Sequence, residues 1–168
     1  EASGLLEPRC SLCRGPVERR ASRHWYLDVR RYARSVLPHL TSSDAFRAEV
    51  AKAVEETLEG VGEVGLTRDS AWGIPVPLPE ARGKTIYNWV DSLLGKVSTV
   101  ARLGSEREAA FWKDPAASKV FCMGPDSVSF YGVLFPALLE AVGRGYRLEN
   151  WCILPNEVFI YEGGVCSK

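Results

Sequence analysis

The sequence contains no long hydrophobic run, no excess of charge of either sign and only five cysteines, and each absence argues against a class of protein. The longest apolar stretch, Val128 to Leu139, has about half of the ~20 residues that a membrane-spanning helix requires. No cationic and then apolar leader opens the sequence, so we expect a cytoplasmic protein with no membrane partner. Lysine plus arginine and aspartate plus glutamate both number 21, so net charge gives no indication of a nucleic-acid partner.

The charges are nevertheless unevenly distributed along the chain. Eight arginines lie between residues 9 and 34 against only Glu18 and Asp28, whereas six acidic residues lie between residues 44 and 63 against two basic ones. Either the two blocks attract each other within one fold, or the arginines form a basic face for phosphates. In the second case, RNA would bind at Arg14, Arg19, Arg20, Arg23, Arg30 and Arg31.

The odd number of cysteines does not favour a disulfide framework, and only one pair has the spacing of metal ligands. Cys10 and Cys13 are separated by two residues and followed by Gly15, so a tight turn would bring both thiolates to one ion. Such a pair is half of a tetrahedral zinc site. Its other ligands would be His24, another cysteine or residues outside this sequence; the alternative is two free thiols in a turn.

The first half of the chain is predicted to contain one clear helix. Residues 1–41 are rich in turn-forming residues and are predicted to be irregular with short strands. Ser42 or Ser43 can cap a helix that ends at Gly60, and its outer face is acidic. The alternate prolines of residues 72–79 exclude a helix and predict a rigid connector. The helix itself is predicted from apolar residues that recur every four positions: Phe46, Val50, Val54 and Leu58.

The second half alternates segments that favour strands with segments that favour helices. A helix is predicted from Ser105, with Glu108 completing a capping box, and another from Asp126 to Val142. This alternation predicts a parallel sheet with right-handed crossovers, in which ligands lie at the carboxyl ends of the strands. Asp91 and Asp126 each follow a strand, either as ligand-binding residues or as helix caps. The strands are predicted over residues 84–90, 119–123, 151–154 and 158–161.

Six segments carry a resemblance to a known family, and they occur in the family's order across almost the whole chain. They are residues 7–13, 24–28, 66–77, 87–91, 123–126 and 162–168. Together they resemble the methionyl-tRNA synthetases, which are class I aminoacyl-tRNA synthetases. These enzymes make methionyl adenylate from methionine and ATP and then transfer the methionyl group to tRNA.

The resemblance implies two parts. Residues 1–82 correspond to the zinc-knuckle connective insertion, and residues 83–168 to the second half of a Rossmann-type nucleotide-binding domain. The first half, with its His-Ile-Gly-His signature, and the first Cys-x-x-Cys pair of the knuckle are expected to precede this segment. The implied partners are therefore tRNA and a chain that supplies the missing Rossmann half. ATP is expected only with that half, and zinc at Cys10 and Cys13.

Several positions that contact ligands in the family are replaced in this sequence. Residues 165–168 stand where the family has Lys-Met-Ser-Lys-Ser, so Lys168 is the remaining cation of that signature. In the methionine pocket, Lys96 stands in place of a tyrosine and Tyr131 in place of a histidine. A lysine in this position must be hydrated or paired. The resemblance places substrate binding at Trp89, Asp91, Asp126 and Tyr131.

Two functions follow from these features. The ordered segments favour a catalytic-body segment of a methionine–tRNA ligase, inactive as an isolated chain. The altered pocket favours a noncatalytic module that binds RNA or a protein partner. In either case we expect an α/β fold, with a small knuckle module and a parallel sheet built from strands near Ile86, Val120 and Ile153. At the carboxyl edge of that sheet we expect a cluster of Trp89, Asp91 and Asp126.

Overall fold

The computed structural model describes residues 7–18, 20–32, 47–158, 160–162 and 164–165. The strands are β1 (Tyr26–Asp28), β2 (Glu63–Gly65), β3 (Thr67–Asp69), β4 (Lys84–Ile86), β5 (Lys119–Met123), β6 (Trp151–Pro155), β7 (Ile160–Tyr161) and β8 (Gly164–Val165). The α-helices whose bounds lie within the described residues are α1 (Ala48–Gly60), α2 (Asn88–Ala101), α3 (Ser105–Glu108) and α4 (Phe135–Val142). Turns of π-helix occur at Ala109–Lys113 and Phe130–Leu134, and turns of 3-10 helix at Pro79–Ala81 and Pro125–Ser127.

Helix α1 has the predicted apolar face. Val50 and Val54 are buried, whereas the predicted caps Ser42 and Ser43 lie outside the described residues. The side chain of Arg30 lies at the end of the helix, where it donates to the carbonyl oxygens of Glu59 and Val61. A cation in this place satisfies carbonyls that have no partner within the helix and complements the helix dipole. The exposed side of α1 is acidic, as predicted: Glu49, Glu55, Glu56 and Glu59.

Strand β4 is hydrogen-bonded along both edges. It pairs antiparallel with β3 on one side. On the other side, the Ile86 N–H donates a hydrogen bond of 2.8 Å to the Ile74 carbonyl, and the Val76 N–H donates one of 3.1 Å to the Lys84 carbonyl. The proline-rich connector is therefore extended, as predicted, but it is also bonded to a strand. Because both edges of β4 are occupied, its predicted place in a parallel sheet is wrong.

The strand predicted over residues 84–90 is also too long, because α2 begins at Asn88. Val90, Leu93 and Val97 recur at helical spacing and are buried in the core. Asp91 lies in the first turn of α2 and is not a cap: Tyr87 occupies the cap position, and no side chain caps the helix. A carboxylate in the first turn of a helix is stabilised by the helix dipole.

The predicted capping roles of Glu108 and Asp126 are wrong as well. Gly104 precedes α3, and the carboxylate of Glu108 accepts a hydrogen bond of 3.0 Å from the Tyr146 hydroxyl instead of capping the helix. Asp126 lies within the 3-10 turn that follows β5, and no side chain caps that turn. The positions of both carboxylates depend on contacts and backbone turns that a local sequence pattern does not reveal.

Strands β5 and β6 form the predicted parallel pair, with Val120 opposite Cys152 and Phe121 opposite Ile153. One face of the pair is buried in the core, where Ile153 is fully buried. The other face is open: Val120 is 58% exposed and Cys122 is exposed. Parallel sheets are normally covered on both faces, so the open face lacks a covering layer within the described residues. None of the described helices is long and apolar enough to cross a membrane.

The π-helical turn before α4 packs closely against α1. A Cβ atom added at Gly132 would lie 2.4 Å from Cγ2 of Val54, which is fully buried. We expect Gly132→Ala to lower the free energy of unfolding by about 1–3 kcal/mol, the usual cost of overpacking a core. Urea denaturation measures the change. Gly95→Ala is the matched control, because nothing lies within 4 Å of a Cβ at that position in α2. Alanine at this position is expected to be neutral or stabilising. An equal loss of stability in both variants would contradict the expectation.

Candidate active site

A cavity of about 710 Å³ lies beside the β3–β4 pair and the start of α2. Its wall carries two opposite charges, Arg68 and Asp91, together with polar groups and apolar side chains. A concave site of mixed polarity and this size is typical of small-molecule binding. The lining residues are Arg68, Ser70, Ala71, Trp72, Gly73, Ile74, Thr85, Ile86, Asn88 and Asp91.

Arg68 is held in place from two directions. Its guanidinium lies 3.7 Å from the centre of the Tyr87 ring, a cation–π contact. Its Nη1 donates 3.0 Å to the carbonyl of Gly65 and 2.8 Å to that of Thr67. Because both hydrogen bonds in the described part of the chain use Nη1, the donors on Nε and Nη2 are available to an anion. A planar fork of N–H donors suits a phosphate or carboxylate group.

The segment that carries Trp72 forms the rim of the cavity. The Ser70 hydroxyl donates 2.7 Å to the Trp72 carbonyl, and the Trp72 N–H is 3.1 Å from the same hydroxyl oxygen. Gly73 has φ 138, and a Cβ at that position would lie 3.1 Å from Cβ of Thr85. Only glycine fits there without strain. The turn leaves the Trp72 side chain 89% exposed, available to stack on a planar ring.

Two of the predicted substrate residues, Trp89 and Tyr131, lie at the contact between α2 and the π-helical turn of residues 130–134. The Trp89 ring stacks on Phe130, with centroids 3.8 Å apart and planes 6° from parallel. Nζ of Lys96 lies 5.1 Å from the centre of the Tyr131 ring and donates 3.0 Å to the Ser92 carbonyl. Lys96 and Tyr131, which the sequence resemblance marks as departures from the family pattern, therefore contact each other.

The predicted cluster of Trp89, Asp91 and Asp126 is not joined by any contact among the described residues. Trp89 packs on Phe130, and Asp91 lines the cavity. Asp126 is exposed just after β5, at the edge where the Asn156 N–H donates 2.7 Å to the Met123 carbonyl. A shared site for the three side chains stays a prediction.

Cys10 and Cys13 lie in a tight turn, in which the Cys10 N–H donates 3.0 Å to the Gly15 carbonyl. The N–H groups of Cys13 and then Leu12, with the Cys13 thiol, lower the pKa of the Cys10 thiol. A turn that favours thiolate is the chemistry that zinc requires, so the pair fits half of a tetrahedral site. Within the described residues, no group of three or more His, Cys, Asp or Glu side chains converges to complete it.

His24, a candidate third ligand in the sequence, has other partners. Its Nδ1 lies 3.0 Å from the Thr67 hydroxyl, and its Nε2 lies 3.5 Å from a carboxylate oxygen of Asp69. Lys84 pairs with the same carboxylate and donates 2.6 Å to the Ser22 hydroxyl. The hydrogen bond from Lys84, then that from Ser22, and the charges of Lys84 and His24 hold the pKa of Asp69 below its usual value.

The described members of the arginine-rich segment are all exposed, but some of them have partners within the chain. Arg30 binds backbone carbonyls at the end of α1, and Arg31 lies 5.6 Å from the Tyr32 ring centre. Arg20 pairs at 3.0 Å with Glu18, while Arg14 and Arg23 are exposed. In the described ranges, no ion pair joins these arginines to a carboxylate of α1. Arg19 and Lys168, two further predicted site residues, lie outside the described residues.

Sequence reasoning missed Arg68, Trp72 and Asn88 as cavity residues, although all three lie in segments that carry the family resemblance. A signal was present for Trp72, because an aromatic residue between alanine and glycine in a proline-rich connector has no apolar periodicity to bury it. No local signal marks Arg68, whose placement depends on Tyr87 and on backbone carbonyls.

The lowered pKa of Asp69 predicts how stability depends on pH. A carboxyl whose pKa is lower in the folded state stabilises the fold above its unfolded value of about 3.9, and this contribution is lost as pH falls through the folded value. We expect Asp69→Asn to lower the free energy of unfolding at pH 7 and to differ less from the parent below pH ~4. Urea titrations at several pH values measure this. In a Lys84→Met background the pH-dependent part should shrink, and an undiminished difference there would contradict the assignment.

Comparison with known proteins gives a consistent picture. The family described as tRNA synthetases class I (M) matches residues 1–168. The methionine–tRNA ligases of Pyrobaculum calidifontis and Korarchaeum cryptofilum are 40% and 36% identical to this chain; each match covers 98% of this chain but 30% of the relative. The crystal structure of Mycobacterium tuberculosis methionyl-tRNA synthetase bound by methionyl-adenylate has a TM-score of 0.66 at 22% identity, over 89% of this chain and 29% of that one, which shows a shared fold. Because the family match spans its whole length, this chain belongs to the methionine-type class I tRNA synthetases.

Proposed function

We propose that this chain is a catalytic-body segment of a methionine–tRNA ligase and that the cavity forms one wall of an aminoacyl-adenylate site. The observation that carries this proposal is the presence of Arg68 and Asp91 in one cavity whose rim bears an exposed indole, Trp72. An aminoacyl adenylate offers the matching groups: a phosphate for the guanidinium, an ammonium for the carboxylate and a purine for the indole. The relative from Mycobacterium tuberculosis was crystallised with such an adenylate.

In the proposed reaction, a carboxylate oxygen of methionine attacks the α-phosphorus of ATP and pyrophosphate leaves. A tRNA hydroxyl then takes the methionyl group and AMP leaves. The protein's contribution to both steps is to position the reactants and to stabilise charge on the phosphate. Arg68 neutralises the negative charge that develops on the α-phosphate, and Asp91 holds the amino group. Lys168 is the proposed remaining cation for the pyrophosphate.

The chain works only with a first Rossmann half, which another part of a longer protein or a separate chain supplies. In this assignment residues 1–82 are the connective insertion and residues 83–168 the second half, and the boundary runs through the β3–β4 pair. The open face of β5–β6, with Val120 and Cys122, supports a missing layer because a parallel sheet needs cover on both faces. The chain acts in the cytoplasm, where the thiols of Cys10 and Cys13 stay reduced.

Zinc belongs to the same proposal. Cys10 and Cys13 would hold one half of the ion's tetrahedral shell, and two ligands from a preceding knuckle pair would complete it. When bound, the ion would supply structural stability, since such sites fold the turns around them. The low pKa of the Cys10 thiol supports this role because zinc binds thiolate.

Adenylate binding tests the cavity assignment directly. We expect Arg68→Ala and Asp91→Asn each to weaken binding of the stable analogue methionyl sulfamoyl adenosine by roughly ten- to a hundredfold, because a hydrogen bond to a charged group contributes about 1.5–3 kcal/mol. Calorimetric titration of the chain measures the affinity. Arg82→Ala is the control, since this exposed arginine does not line the cavity. Equal affinity in all four proteins would contradict the assignment.

The isolated chain is expected to show no methionine-dependent exchange of pyrophosphate into ATP. Half of the nucleotide site is absent, and the first lysine of the signature loop is replaced by Val165. The exchange assay with labelled pyrophosphate checks this, with heat-inactivated chain as the blank and the intact Pyrobaculum calidifontis relative as the positive control. Exchange clearly above the blank would overturn the claim that a second half is required.

A second candidate function is RNA binding without catalysis. It is supported by two exposed arginines, Arg14 and Arg23, and by the exposed side chain of Leu12 on the knuckle turn. The close stack of Trp89 on Phe130 in the altered pocket also supports it. Exposed arginines would neutralise phosphates and release counterions, so binding would be strongly salt-dependent with little sequence preference.

The salt dependence of RNA binding separates surface arginines from structural ones. For an acceptor-stem RNA, the double variant Arg14→Ala, Arg23→Ala should lower the slope of log affinity against log salt by about 0.7–0.9 per lost phosphate contact. Arg30→Ala removes the same kind of charge from the end of α1; it should leave the slope unchanged and cost about 0.3–1 kcal/mol of stability. Identical slopes in all three proteins would exclude a basic RNA face at these residues.

A further inference from the structure

We propose that His24, which lies outside the cavity, is the positioning residue that fixes Arg68 for ligand binding. This inference rests on the proposed function of the cavity and adds a residue to which nothing in the family resemblance assigns a role. His24 comes from the segment before β1, whereas Arg68 lies on β3. The imidazole therefore acts on the cavity through β3, the strand that carries Arg68.

The alternation of side chains along β3 makes this possible. Successive residues of a strand point to opposite faces, so Thr67 and Asp69 share one face and Arg68 lies on the other. The His24 ring spans the first two: Nδ1 lies 3.0 Å from the Thr67 hydroxyl and Nε2 lies 3.5 Å from an Asp69 oxygen. One side chain thus holds β3 on both sides of Arg68.

The Thr67 hydroxyl contacts both His24 and the backbone beside it. Its oxygen accepts a hydrogen bond of 3.3 Å from the Trp25 N–H and forms a second hydrogen bond of 3.0 Å with Nδ1 of His24. The other ring nitrogen of His24, Nε2, faces Asp69. Asp69 is also paired with Lys84. Within the described residues, the charged groups near His24 are therefore Asp69, which faces it directly, and Lys84, which is linked to it through Asp69.

The contact is transmitted to Arg68 through the backbone of Thr67. The Thr67 hydroxyl binds His24, and the Thr67 carbonyl accepts a hydrogen bond of 2.8 Å from Nη1 of Arg68. Thr67 is buried, and the contact with His24 adds to the packing that fixes its position. On the other side, Nη1 donates a hydrogen bond of 3.0 Å to the Gly65 carbonyl and occupies the space that a side chain at residue 65 would need.

A purely structural role is the competing explanation. His24 and Lys84 also tie residues 22–25 to β3 and β4, and losing that tie would lower stability even if Arg68 kept its place. The two explanations differ in one observable quantity. The Tyr87 ring, 3.7 Å from the Arg68 guanidinium, imposes a ring-current shift on the Arg68 Nε–H signal. Positioning predicts that this shift depends on His24, and a structural role alone does not.

The experiment combines NMR and titration on the full chain. The variants are His24→Ala, His24→Gln and Thr67→Val, with Ser22→Ala as the control that removes a partner of Lys84 and Asp69 but no contact of His24. We record the Arg68 Nε–H signal, urea unfolding and the affinity for methionyl sulfamoyl adenosine. We expect His24→Ala to move the Arg68 signal toward that of exposed Arg82 and to weaken binding by roughly ten- to a hundredfold, the cost of misplacing a binding group. His24→Gln should restore part of the original Arg68 signal and part of the affinity.

The outcomes separate the inference from the proposed function. If His24→Ala lowers stability but leaves the Arg68 signal and the affinity unchanged, His24 is structural only and the inference is overturned. If the analogue fails to shift Arg68 in the unsubstituted chain, the proposed function of the cavity fails, while the response of Arg68 to the variants still decides the positioning role. Should His24→Ala not fold, Thr67→Val and His24→Gln decide the same question.

Discussion

Hydrogen bonding along both edges of β4 is the constraint on which the arrangement of the cavity depends. The Tyr87 N–H donates 2.8 Å to the Leu66 carbonyl and so extends the β3–β4 pairing by one residue before α2 begins. This pairing determines where α2 starts and therefore brings Asp91 to the cavity that Arg68 lines. The same Tyr87 supplies the ring beneath the Arg68 guanidinium. Backbone pairing, charge placement and the cation–π contact are thus parts of one local structure.

Two residues that the sequence resemblance marks as departures from the family's methionine pocket lie next to each other in the structure. These residues are Lys96 and Tyr131: Nζ of Lys96 lies over the Tyr131 ring, and Lys96 has a backbone carbonyl as a second partner. Changing two neighbours together satisfies a charge that a single substitution would leave unpaired. The Arg68 cavity, in contrast, lies in segments that match the family, so its chemistry and that of the altered pocket are separable.

Sequence reasoning succeeded where local burial or chain geometry determines the structure. The bounds of β5, the buried Val50 and Val54 of α1 and the end of α4 at Gly143, which has φ 65, were all predictable. It failed where a distant partner decides. A β-branched run indicates a strand but not its neighbour, so the antiparallel pairing of β4 was missed. Asp91 was found as a site residue because it follows a strand; Arg68 was missed because distant contacts orient it.

Hydrogen–deuterium exchange with methionyl sulfamoyl adenosine tests the central claim most directly, because it locates the ligand without assuming which residues bind it. The account predicts slower amide exchange over residues 68–73 and 85–91 when the analogue is bound, with no change in α1, which lies outside the cavity. Protection confined to the Trp89–Tyr131 contact region, or to the arginine-rich segment of residues 9–31, would contradict the account and move the site elsewhere.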